Sequence, residues 1–170
     1  MNCFLIAALT ADGFIGRNTG DRSFNWTSEE DKSFYVDLIK SADVIVMGSK
    51  TFQTFRKHPK GSRWEVYTRS PQKFVNKKPD IIQASGTNEK PKELIDRLEK
   101  EGVNTVVIAG GSSIYTMFMR AGVVDKLYLT VEPVLFGDGV KLFNESLDIN
   151  LKLKSVKQLS SQTLLLEYQA

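Results

Sequence analysis

Short, mostly apolar runs and segments of helical spacing take turns along the chain. Residues 3–9, 43–47, 64–68, 105–109 and 126–131 are runs of strand length, and residues 80–84 form a shorter one. A run without polar alternation has both faces buried, as in a parallel sheet covered by helices. Residues 28–41, 91–101 and 112–121 repeat their apolar positions every three or four residues, which predicts amphipathic helices. Residues 49–56 suit one further short helix. Pro91 fits a first helical turn, while Gly102 and Gly122 end the helices before them. Residues 11–25 read as a long polar loop containing Gly13, Gly16 and Gly20. Residues 151–157 and 163–168 read as a terminal antiparallel pair. The alternation predicts an α/β sandwich: a mostly parallel central sheet, antiparallel C-terminal edge strands, and helices on both faces. With no linker or internal repeat in 170 residues, one domain spans residues 1–170.

Composition narrows the function classes. The net charge is only +3, with lysines scattered apart from Lys77-Lys78 and residues 56–60. That balance argues against a nucleic-acid partner but is compatible with an anionic ligand. Cys3 is the sole cysteine, so no internal disulfide forms and a reducing cytosol is expected. No basic leader precedes the first strand and no apolar run approaches membrane-spanning length, so a cytoplasmic protein without a membrane partner is expected. His58 is the only histidine and lies in a polar Lys-His-Pro-Lys stretch. Neither a transition-metal site nor a Ser-His-Asp triad is expected from it.

The segment Trp26 to Tyr35 opens a helix with three acids. Asp31 shares a stripe with Phe34, Tyr35 and Leu38, whereas Glu29 shares a solvent face with Lys32 and Ser33. An inward carboxylate among aromatic rings loses hydration, and its pKa rises. Ser28-x-x-Asp31 is equally a capping box, with acids favoured in a first turn. Glycines at strand ends supply further candidates: Gly48, Gly110-Gly111 and Gly137-Asp138-Gly139. A glycine pair before a helix admits a phosphate to the helix amides, or simply makes a tight turn. Thr68-Arg69-Ser70 after another strand suits a phosphate monoester, or a solvated turn.

Taken in order, these segments resemble the dihydrofolate reductase superfamily, which includes the reductase domain of riboflavin biosynthesis. Residues 5–9, Leu-Ile-Ala-Ala-Leu, look like its first strand, bordering pterin and nicotinamide. Phe14-Ile15-Gly16 resembles the start of its mobile loop, and Asn25-Trp26 the pair ahead of its catalytic acid, which then falls at Asp31. Residues 44–52 resemble the second strand and cofactor-helix start, and residues 66–71 the segment around the adenosine 2′-phosphate. Residues 108–115 resemble the double-glycine cofactor segment, and residues 127–130 the strand whose threonine bonds the catalytic carboxylate.

The resemblance implies the dihydrofolate-reductase-like three-layer fold, a cytoplasmic oxidoreductase and a set of site residues. Asp31, Trp26, Thr130 and Tyr115 are the implied catalytic group. Ile6, Ala7, Tyr35, Thr51 and Arg63 would bind substrate. NADPH would be held by Ala8, Ile15, Gly16, Gly48, Ser49, Lys50, Thr51, Thr68, Arg69, Ser70, Ala109, Gly110, Gly111, Ser112, Ser113, Ile114 and Tyr115. Ser49 replaces a usual basic residue, leaving Arg69 and Lys50 for the 2′-phosphate. Ser62 stands where folate enzymes carry the arginine for the glutamyl carboxylate, and Arg63 restores it by a one-residue shift. Residues 26–30 and 132–139 lean towards the riboflavin branch; Asp31, Tyr35 and Thr130 lean towards folate. The resulting expectation is NADPH-dependent reduction of 7,8-dihydrofolate to tetrahydrofolate, in one-carbon metabolism, by a monomer or homodimer. Reduction of a ribosylamino-pyrimidine of riboflavin synthesis is the alternative, and a non-catalytic nucleotide-binding protein a third reading.

Overall fold

Successive strand residues point to opposite faces of a sheet, and here both faces are covered. In the computed structural model, β1 (Asn2–Thr10) sends Cys3, Leu5 and Ala7 to one apolar cluster and Phe4 and Ile6 to the other. The same division holds for β3 (Val44–Gly48), with Val44 and Val46 opposite Ile45 and Met47. It holds again for β6 (Thr105–Ile108), with Val106 and Ile108 opposite Val107. The first face is covered by α3 (Pro91–Lys100) and α4 (Ser112–Arg120), through Leu94, Leu98 and Phe118. The second is covered by α1 (Glu29–Ser41) and α2 (Ser49–Thr54), through Ile39 and Phe52. The structure describes residues 1–55 and 57–170. Arg56, expected at a helix end and in a basic cluster, lies outside the described residues.

The remaining strands are β2 (Phe14–Gly16), β4 (Arg63–Tyr67), β5 (Gln83–Thr87), β7 (Lys126–Glu132), β8 (Val140–Lys141), β9 (Lys152–Gln158) and β10 (Leu164–Gln169). The main sheet has eight strands in the order β5-β4-β3-β6-β1-β7-β10-β9. The six strands from β5 to β7 are mutually parallel. β10 runs antiparallel to β7, and β9 antiparallel to β10. This is the dihydrofolate-reductase-like three-layer fold.

Three expectations need correction. Residues 11–25 are not continuous loop: β2 pairs with β8 in a separate ribbon, and Ser23–Asn25 is a turn of 3₁₀ helix. A Cβ on Gly139 would meet the Gly16 carbonyl oxygen at 2.5 Å, so the glycines allow the ribbon's close approach. Secondly, the strand expected at residues 80–84 begins at Gln83. The Ile81 and Ile82 amides are already bonded to the Lys78 carbonyl in a turn. Finally, His58 does lie in a loop, but its ring is not in polar surroundings. Its ring packs 4.7 Å from Phe52 and 5.0 Å from Trp64, and burial, aided by the Lys78 charge, pulls its pKa down to about 4. Cys3 behaves as expected, buried in β1 with its pKa pushed up to about 12 by desolvation and the Asp125 charge.

Candidate active site

Parallel strands leave their ligand crevice beyond the strands' carboxyl ends. A cleft of about 1340 Å³ opens there, across the ends of β1, β3, β4 and β6. Its floor includes Ile6, Ala7 and Ala8 of β1, and Ala109 after β6. One wall is the start of α1, with Asp31 and Tyr35; Ile15 of β2 joins from the loop side. The opposite wall brings together Gly48, Ser49, Lys50, Thr51, Thr68, Arg69 and Ser70 with residues 110–115, Gly110, Gly111, Ser112, Ser113, Ile114 and Tyr115.

Asp31 is 5% exposed. Thr130 Oγ1 donates to Asp31 Oδ1 at 2.5 Å. Desolvation holds the Asp31 carboxyl above its usual range and the Glu132 charge adds to this; the Thr130 bond, the nearby Thr27 hydroxyl and Lys32 pull it back. Among the described residues Thr27 Oγ1 has no partner within hydrogen-bond geometry, so Thr130 is the geometric partner. The capping box read from the sequence is only half present. Ser28 Oγ accepts from the Asp31 amide at 3.2 Å, as an N-cap should. The reciprocal bond is missing: the Ser28 amide donates to Glu132 Oε1 at 3.0 Å. Asp31 is therefore left facing the cleft and Thr130.

Tyr115 donates to the Ile6 carbonyl at 2.6 Å, joining α4 to β1 beneath the cleft. Tyr35 stacks on Phe55 at 6.0 Å and meets Phe24 edge-on at 5.5 Å. The Gly110–Gly111 peptide is cis, with Gly110 at φ +124°. α4 starts at Gly111 without a side-chain cap, so its first amides are open to an anion. A Cβ on Gly111 would stand 2.9 Å from Thr51 Oγ1. Lys50 and Arg69 line the same wall, exposed and without a carboxylate partner among the described residues.

Four expected site residues lie elsewhere. Arg63 is the clear miss: it sits at the amino end of β4, bonded to Glu65 at 3.1 Å and Glu101 at 2.7 Å. The cleft is at the other end of that strand, so Arg63 cannot grip a substrate tail. Trp26 packs edge-on against Phe136 at 5.3 Å, outside the lining, and Gly16 is buried in the ribbon. Thr130 acts through Asp31. In turn, the cleft uses Arg22, Phe24, Phe55, Asn88 and Lys141, which the sequence reading passed over. Phe24 and Phe55 were detectable as aromatics stranded in polar stretches; Asn88 and Lys141 carry no local signal.

Residues 3–165 match the family described as the RibD C-terminal domain. The chain belongs to that family. A relative within reach of this RibD-type domain is the Uncharacterized protein YwjB of Bacillus subtilis (strain 168), 28% identical over 163 residues, covering 91% of this chain and 90% of its own. The fold is shared with the diaminohydroxyphosphoribosylaminopyrimidine deaminase/5-amino-6-(5-phosphoribosylamino)uracil reductase of Thermotoga maritima. That structure superposes with a TM-score of 0.79 at 14% identity, covering 99% of this chain and 56% of that one. Dihydrofolate reductase from Enterococcus faecalis, complexed with NADP(H) and RAB-propyl, gives a TM-score of 0.67 at 21% identity, covering 99% and 95%.

Proposed function

We propose that this RibD-type domain is an NADPH-dependent reductase of an amino-pyrimidine substrate, the ribosylamino-pyrimidine of riboflavin synthesis. The observation that carries the reading is Asp31: a buried acid in the wall of a cleft whose opposite side suits a dinucleotide. The donor set fits NADPH. The open amides of α4 and the bare Gly111 backbone suit its phosphates, while Arg69, Lys50, Thr68 and Ser70 suit a 2′-phosphate. NADPH, when bound, supplies the hydride. The chain's own residues do the rest. Asp31 accepts paired hydrogen bonds from the amino-pyrimidine edge and, with its raised proton affinity, favours protonation of the heteroatom beside the reduced carbon. Thr130 fixes the carboxylate's rotamer. Tyr35 and Phe55 give the ring an aromatic wall.

Family membership and the position of Arg63, remote from the cleft, support the riboflavin-type substrate over one with a glutamyl tail. The Asp31–Thr130 pair favours the second reading, 7,8-dihydrofolate, because it suits a pterin edge. The protein incubated with NADPH and each substrate in turn separates them by loss of NADPH absorbance. Oxidation with neither substrate, despite NADPH binding, sinks both and leaves a nucleotide-binding protein.

A further inference from the structure

Glu132 ends β7 and is 3% exposed. It is a buried acid beside another buried acid, and it does not line the cleft. Glu132 Oε1 accepts from the Ser28 amide at 3.0 Å and from Ser28 Oγ at 2.8 Å. Glu132 Oε2 accepts from Thr163 Oγ1 at 3.0 Å, and Thr163 is fully buried. A helix start leaves four amides in need of acceptors, and an acid three residues after the N-cap ordinarily takes the N-cap amide. In this chain that acid is Asp31, and Glu132 makes the bond in its place. Thr130 and Glu132 are two residues apart on β7 and share a face. One holds the Asp31 carboxylate and the other holds Ser28, so a single strand face sets both ends of the first turn of α1.

We infer that Glu132 is a positioning residue for Asp31: it takes the Ser28 amide that Asp31 would cap, and so releases the Asp31 carboxylate to the cleft. The inference rests on the proposed reductase reading for its catalytic consequence, but the geometry stands without it. A second effect follows from charge. The groups acting on Asp31 are Glu132 from β7 and Lys32 from α1, together with the Thr130 and Thr27 hydroxyls; Tyr35 and Tyr115 lie close enough for the Asp31 charge to raise them. Of the charged groups, Glu132 favours the protonated acid and Lys32 opposes it.

Two variants separate placement from charge. Glu132→Ala leaves the Ser28 amide without its acceptor, so Asp31 turns back to cap it. Glu132→Gln keeps an acceptor for Ser28, removes the charge and turns the atom facing Thr163 from acceptor to donor. Asp31 is followed by carboxyl-carbon NMR titration in the free protein, NADPH affinity by fluorescence, and turnover by the two-substrate assay. In Glu132→Ala, the Asp31 midpoint falls and turnover drops about tenfold or more, with NADPH affinity retained. Glu132→Gln restores turnover, while the Asp31 midpoint stays below that of the unmodified protein. Wild-type turnover and an unmoved Asp31 midpoint in Glu132→Ala overturn the inference. If Glu132→Ala does not fold, Glu132→Asp decides, because its shorter arm keeps the charge and gives up the Ser28 amide: wild-type turnover and an unmoved Asp31 midpoint overturn it. If neither substrate is reduced, the function proposal fails, yet the Asp31 titration still judges this one.

Discussion

At the scale of single residues, Asp31 shows what burial does to an acid. Its proton affinity is raised on folding, so the folded state binds more protons than the unfolded chain above the ordinary carboxylate value. The contribution of Asp31 to stability is then greatest at low pH and declines as pH rises through the unfolded and towards the folded value. Asp31→Asn removes that deficit. We expect a higher Tm than wild type at pH 7 and no gain in acid, while NADPH oxidation falls by about 10² or more. Full activity at neutral pH would remove Asp31 from the mechanism. Thr130→Val deletes the hydroxyl that lowers Asp31, so its proton affinity climbs further. If turnover needs the protonated acid, the decline of kcat/KM with rising pH moves to higher pH; a shift to lower pH would assign Thr130 another role. The inward phase of Asp31 was legible in the sequence, because helical spacing alone put it beside Phe34 and Tyr35. The exchange of capping partners was not: Glu132 lies 104 positions from Ser28, and no local pattern announces so distant a bond.

At the scale of elements, the central strands and the helices covering them were legible because the strands are buried on both sides and the helices on one stripe. Element ends were less so. β5 starts late because a turn claims the amides before it. The β2–β8 ribbon was invisible because each strand is only two or three residues long, too short for a period. The start of α4 is where an element becomes a binding device. Gly111→Ala adds a methyl group to the backbone wall beside Thr51. The Thr51 side chain can rotate aside, so Tm should change little. NADPH binding should weaken about tenfold, or ~1.4 kcal/mol, by titration of protein fluorescence. Unchanged affinity would place the dinucleotide elsewhere.

At the scale of the whole molecule, the two ends of the parallel sheet do different work. The carboxyl ends form the cleft, and the amino end of β4 carries an ion-pair cluster of Arg63, Glu65, Arg97 and Glu101, with Glu89 joined through Arg97. Reading Arg63 as a tail-binding residue failed because register along a strand decides which end a side chain serves, and one residue of offset does not change ends. Arg63→Ala should leave KM unchanged for whichever substrate is reduced. It should lower stability by about 1 kcal/mol, since among the described residues buried Glu65 keeps only Arg97 and the lost arginine is partly solvated. A rise in KM of tenfold would bring Arg63 back into the site.

The segment crossing above the cleft is fastened on both flanks. Asp12 accepts from Thr10 Oγ1 and from the Phe136 and Gly137 amides, the ribbon follows, and Trp26 lies against Phe136 on the far side. Between these ties, Asp21 folds the tip back on itself through the Arg17 amide and guanidinium and the Asn18 carbonyl. The self-bonded tip lines the cleft through Asn18, Thr19 and residues 21–24, and Ile15 joins it from the ribbon. A tip bonded to itself in this way would close over a bound ligand as one piece. Its closure sacrifices little chain entropy, because most of the ordering is already present before anything binds.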